Sequence, residues 1–71
     1  MNSKKIIEVI SKALGQKVTE SSNVNNTKKW DSLGHLQILA SLDKYTKGKS
    51  SKIANLNDAT SVKAIIKMLI K

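Results

Sequence analysis

Cysteine is absent from this chain, which excludes disulfide staples, thiolate metal sites and cysteine nucleophiles. Proline, phenylalanine and arginine are absent as well, and Trp30 and Tyr45 are the only aromatic residues. Without an aromatic series there is no stacking platform for a single-stranded nucleic acid. His35 is the only histidine, so a metal cage would have to draw on the five carboxylate side chains. No stretch reaches the roughly 18 consecutive apolar residues of a membrane span. The run from Met1 to Leu14 opens with lysines and turns apolar, but Glu8 and Lys12 interrupt it and no small-residue cleavage site follows. These absences lead to the expectation of a soluble, cytoplasmic, monomeric protein. At 71 residues the chain is expected to form a single domain over 1–71. So short a chain buries only about 60% of the surface that its unfolded form exposes, and it has no room for a cleft between two domains.

The charge is lopsided. Every cationic side chain is a lysine, and the formal net charge is +8. Such a balance invites phosphate contacts, which are sensitive to salt. However, arginine, the usual bidentate reader of base edges, is missing. The lysines also run from Lys4 to Lys71 and are not gathered on one recognition helix. A basic helical interaction module that binds nucleic acid or an acidic protein is therefore the alternative reading of the chain. Specific nucleic-acid binding and membrane binding are not expected.

Abundant Lys, Leu, Ile and Ala, with few strand formers, favour helix. Ile6, Val9, Ile10, Ala13 and Leu14 recur at i, i+3, i+4, i+7, i+8, which predicts a helix over Ser3 to Leu14. Ser3 is its expected N-cap and Gly15 its left-handed stop. From Gln16 to Lys29 periodicity vanishes, and Ser, Asn and Thr favour turns. Val18 and Val24 are the expected anchors of this loop. A second helix is predicted from Asp31 or Ser32 to Tyr45 or Thr46, with Asp31 as its cap. Its apolar residues make two rows: Ile38, Leu42 and Tyr45, and Leu33, Leu36 and Ala40. Either both rows are covered, or one is left for a partner or ligand. Thr46 to Asn57 is polar and offers at most one short turn of helix around Ile53 and Leu56. Val62, Ile65, Ile66, Leu69 and Ile70 predict a last helix, capped by Thr60 or Ser61, with Lys67 and Lys71 near its negative end. The predicted core joins Ile10, Leu14, Ile38, Leu42, Ile66 and Leu69.

Asp31, Ser32 and His35 are the only trio that suggests catalysis. A triad needs in addition an oriented base, an oxyanion hole and a pocket, which a chain of this size is poorly placed to build. The chain is not expected to be an enzyme. In the plain reading Asp31 is a helix cap and His35 a polar residue of the first turn.

Trp30-Asp31-Ser32-Leu33-Gly34-His35-Leu36 resembles the phosphopantetheine-attachment segment of acyl carrier proteins, whose core is Asp-Ser-Leu at the start of the second helix. The order of elements is similar over about Lys4 to Leu69, down to the final Ala59-Thr60-Ser61-Val62 start of the last helix. The resemblance implies an all-α fold: a small acyl-carrier-like four-helix bundle of three main helices plus a short third helix. It implies a stand-alone carrier protein that serves a biosynthetic pathway and becomes a phosphoprotein. A phosphopantetheinyl transferase would attach 4′-phosphopantetheine to Ser32, and the arm would carry an acyl group as a thioester between loading and accepting enzymes. A carrier without cysteine is consistent with this, because the sulfur comes from the arm. By the same resemblance Asp31 assists transferase recognition, and Leu33, Gly34, His35, Leu36 and Ala40 face partners. The family is strongly acidic along its second helix, where partner enzymes are basic. Here Gly34 and His35 follow the Ser-Leu pair, and Lys44, Lys47 and Lys49 lie at the far end. Since charge complementarity governs partner choice, the expected partners are neutral or acidic at the contact. The sparse core, without phenylalanine, gives little room to shelter a long acyl chain, so the expected cargo is a short or unusual acyl group.

Overall fold

The apolar period of 3.6 folds as expected into helices, and their caps are side chains close to those foreseen. The structure, a computed structural model, describes residues 2–53 and 55–70. Helix α1 spans Ser3–Leu14, α2 spans Ser32–Tyr45 and α3 spans Val62–Ile70. No strand is present among the described residues; a lone antiparallel bridge joins Asn23 to Ser61. No helix among them is long and apolar enough to cross a membrane.

The ends of α1 refine the expectation. Asn2, not Ser3, is the N-cap: its Oδ1 accepts from the Lys5 amide at 2.9 Å. Asn and Ser are near-equal caps, so the two positions were chemically indistinguishable. Gly15 closes the helix in the left-handed region (φ 67°), where its missing Cβ removes the steric penalty. At α3 it is Ser61 that caps, its Oγ accepting from the Ala64 amide at 3.1 Å. Lys67 occupies the last turn of α3; Lys71 lies outside the described residues.

The core sits between α1 and α2 and is closed by α3. Ile6, Ile10 and Leu14 meet Ile38 and Leu42 of α2 and Val62 and Ile65 of α3. Two members of the predicted core need correction. Ile66 and Leu69 are only half-buried at the edge of the cluster, and Val62 and Ile65 take the central places. All four belong to the same apolar stripe of α3, so the sequence pattern alone does not fix its rotation. Val18 and Trp30 complete the core from the long loop, and Ala59 from the segment before α3.

That loop is ordered by its own polar side chains. Asn23 Oδ1 accepts from the amides of Asn25 and Asn26, and Asn26 Oδ1 accepts from the Asn23 amide. Such Asx contacts replace helix and sheet bonds in a segment with no apolar period. The loop is tied to the start of α3 by Val24 N to Thr60 O (3.0 Å) and Val62 N to Ser22 O (2.9 Å).

Between α2 and α3 the expected short helix, and with it the four-helix bundle, is replaced by two 3₁₀ turns, Ser50–Lys52 and Leu56–Asp58. The chain therefore has three α-helices among its described residues. Ile53 is extended after the first turn, and Asn55 takes a left-handed conformation (φ 68°) before the second, so the two turns cannot merge into one helix. Thr46, buried, holds the segment to α2, because its Oγ1 donates to the Leu42 carbonyl at 2.7 Å and accepts from the Ser50 amide at 2.9 Å.

Candidate functional site

The start of α2 collects most of the residues singled out in the sequence. Asp31 is the N-cap, its Oδ1 accepting from the Gly34 amide at 2.8 Å. Ser32 follows as the first helical residue and is exposed. Its hydroxyl therefore lies at the positive end of the helix dipole, beside first-turn amides that favour an anion.

Leu33 and Leu36 are 64% and 61% exposed, and Ala40 is exposed too, so the second apolar row of α2 is the uncovered one. The first row divides: Ile38 and Leu42 are fully buried, whereas Tyr45 keeps a partly exposed ring.

Gly34 needs a correction as a partner-facing residue. It is buried, and a Cβ at this position would collide with the Lys29 carbonyl oxygen and stand 2.9 Å from Leu14 Cδ2. Glycine is required here by a close internal approach of α2 to the loop backbone and to the end of α1.

His35 also turns inward, and it is half-buried. Trp30 Nε1 donates to its Nδ1 at 3.1 Å, and its Nε2 meets the Asn57 carbonyl oxygen at 2.7 Å. The two contacts assign the ring: Nδ1 accepts, so the proton sits on Nε2 and is donated to Asn57. The Trp30 and His35 rings stack with centroids 6.3 Å apart and planes inclined by 19°. Both nitrogens are thus committed within the chain, and His35 has none left to act as base for Ser32. Asp31 is likewise turned to its cap. The trio is adjacent in sequence and has no catalytic relay.

Trp30 was not foreseen as a site residue, yet it is only 3% exposed and lies at the centre of this arrangement. A sequence signal does exist. Trp30 is the residue before the cap and His35 the fourth helical residue, the two positions that pack as a staple across a helix start. Histidine at the second position concealed the pattern.

Beside Ser32 lies an open groove of about 540 Å³, lined by Val24, Trp30, Asp31, Ser32, His35, Leu36 and Thr60. Val24, Trp30 and Leu36 make its walls largely apolar, with the Ser32 side chain among its lining residues. On the opposite side of the same helix start, Lys28, Lys29, Leu33 and Gln37 border a second depression of about 440 Å³. No group of three or more His, Cys, Asp or Glu side chains able to hold a metal ion occurs among the described residues. No family model matches the chain, and no curated protein or solved structure matches it either.

Proposed function

We propose that the chain is an acyl carrier protein, monomeric and cytoplasmic, modified on Ser32 with 4′-phosphopantetheine. The observation that carries this reading is the exposed Ser32 hydroxyl at a helix start capped by Asp31, within the Trp30-Asp31-Ser32-Leu33 segment that resembles the attachment site of that family. The setting suits the group. A phosphodiester on Ser32 Oγ gains from the first-turn amides and the dipole end. An arm leaving Ser32 meets the groove lined by Trp30, His35 and Leu36, where apolar walls favour its methylated and methylene portions. When bound, the arm supplies the thiol that carries the acyl group; the chain supplies attachment, orientation and partner contact.

The three α-helices and the 3₁₀ turns are compatible with an acyl-carrier-like arrangement in which the short third helix is reduced to single turns. The helix staple of Trp30 and His35 has a clear task in this reading. It holds the loop before Ser32 and the segment around Asn57 against the first turn of α2, so that the attachment point is presented on a fixed edge. The partners are a phosphopantetheinyl transferase and the enzymes that load and unload the arm.

The test is modification in vitro. Incubation with coenzyme A and several broad-specificity phosphopantetheinyl transferases should raise the intact mass by one arm per chain. Ser32→Ala should abolish the gain while leaving stability within about 0.5 kcal/mol, as for other exposed substitutions. Absence of modification by every transferase, or labelling of Ser32→Ala, would sink the reading.

A further inference from the structure

His35 is a titratable side chain held in a network whose geometry fits one protonation state. Its Nδ1 accepts from Trp30 Nε1 at 3.1 Å, and its Nε2 donates to the Asn57 carbonyl at 2.7 Å. One ring thus ties together three pieces of chain: the end of the long loop at Trp30, the first turn of α2, and the second 3₁₀ turn at Asn57. Trp30 and His35 both line the groove beside Ser32, so this network forms part of its wall.

The two ends of the network respond to a proton in opposite ways. Nε2 already carries one, so a second can enter the ring only at Nδ1. The new Nδ1–H would point at the Trp30 Nε1–H, and two donors cannot share a hydrogen bond. Trp30 is almost wholly buried, and a buried donor without an acceptor is unfavourable. The Asn57 end gains instead, because a charged N–H donates more strongly than a neutral one. The ring stack does not make good the loss: its centroids are 6.3 Å apart, beyond the about 6 Å at which a cation gains over an indole face. Charged neighbours offer no substitute acceptor. Asp31 at the start of α2, Lys29 on the loop and Asp58 beside Asn57 are all exposed, and Asp31 Oδ1 is taken by the Gly34 amide. No carboxylate among the described residues stands within ion-pair distance of the ring. Val24, Ser32, Leu36 and Thr60, which line the rest of the groove, are uncharged.

We infer that the Trp30–His35 pair is a proton-operated latch on the groove at Ser32. The neutral ring closes it. The imidazolium lets go of Trp30, keeps hold of Asn57, and leaves the indole N–H to turn into the open groove towards water, which reshapes the wall beside Ser32. The open form binds one proton more than the closed form, so the latch opens as the pH falls and closes as it rises. Histidine is the side-chain type that changes charge between about pH 5 and 8, and His35 is the only one in the chain, so the latch has a single operator. That the reshaped wall meets a pantetheine arm rests on the carrier reading. The latch itself rests on the two hydrogen bonds of one ring.

The test is a titration of the isotope-labelled full chain, followed by NMR from about pH 8 to about pH 5. With one tryptophan and one histidine, the indole N–H and the ring nitrogens give unambiguous signals. At the alkaline end the ring should be the Nε2–H tautomer. As Nδ1 takes its proton, the Trp30 indole proton should shift upfield, as on loss of a hydrogen bond, and quenching of Trp30 fluorescence by acrylamide should rise. The amides of Ser32, Leu36 and Thr60 should move with the same midpoint, and those of Ile6 and Ile10 in α1 should stay. His35→Gln offers an acceptor and a donor that do not titrate and should abolish the response. His35→Ala removes the acceptor and should hold the indole at its acid position throughout. An Nδ1–H tautomer at the alkaline end, an indole signal indifferent to the titration of His35, or a response that survives in His35→Gln would overturn the proposal. So would amides that move together over the whole chain, the mark of acid unfolding. If both variants fail to fold, the titration of the wild type still decides. Ser32→Ala should titrate like the wild type, so a chain that no transferase modifies can still show the latch, and a modified chain can still lack it.

Discussion

Helices α1 and α2 are nearly the same length and rich in apolar residues, but they distribute them differently. In α1 the apolar side chains form a single stripe: Ile6, Ile10 and Leu14 are buried, and Ile7, Val9 and Ala13 pack at its edges. None of these six is exposed. In α2, Ile38 and Leu42 are buried as deeply, while Leu33, Leu36 and Ala40 point away from the core into open surface. The charged residues of α1, Lys4, Lys5, Glu8 and Lys12, are all exposed, as burial of one face requires. The uncovered row of α2 has no such explanation in the stability of the chain. The apolar surface that the core does not use therefore lies along α2, with Ser32 at its first turn.

The comparison is broken most sharply on the buried side. Leu42→Ala should cost roughly 2–5 kcal/mol, the usual range for truncating a fully buried leucine. In a domain this small that is enough to leave much of the population unfolded, which urea denaturation will read directly. An unchanged midpoint would mean that Leu42 does not sit between α1 and α3.

Gly34→Ala is the next largest change, and its sign is the informative part. On an exposed helix position the substitution would stabilise by about 1 kcal/mol, because alanine favours helix. Here the new Cβ meets a backbone carbonyl of Lys29 that cannot rotate away, and Leu14 from the other side. The expected result is destabilisation of about 1–3 kcal/mol by overpacking, with a lower thermal midpoint. A rise in the midpoint would show that the loop yields freely and that α2 does not need this close approach.

The helices themselves were legible in the sequence because their signals are local. The bounds of α1 follow from five apolar residues at helical spacing and Gly15, and those of α2 from Asp31. The exposed row of α2 was visible as a row, since two stripes on one helix cannot both face a small core. What the sequence did not reveal depends on tertiary packing. Gly34 reads as an open approach until the carbonyl of Lys29, brought near by the loop, is seen against it. The rotation that buries Ile65 in place of Ile66 is set by the docking of α3 onto α1, and both residues fit the same stripe. His35 reads as a surface residue because its partners, Trp30 and the Asn57 carbonyl, come from either side of α2. The long loop had no apolar period to read; its order comes from Asn23 and Asn26 bonding to one another's backbone.

The smallest effect on stability tests the exposed row. Leu36 precedes Leu42 by six residues, which rotates it roughly 120° around the helix and out of the core. At 61% exposure it has little burial to lose, so Leu36→Ser should leave the folding free energy within about 0.5 kcal/mol. Its effect belongs to contact with other molecules. Leu36 borders the Ser32 groove, one turn beyond Ser32. If the α2 row is a contact surface, the variant should still fold and still present Ser32, but attachment of the arm by the transferase should slow. Thermal denaturation and time-resolved intact mass after transferase treatment read the two properties separately. A variant that loses stability as heavily as Leu42→Ala would remove the distinction between the two faces of α2. A variant that is stable and modified at the wild-type rate would show that the exposed row of α2 is not where the transferase makes contact.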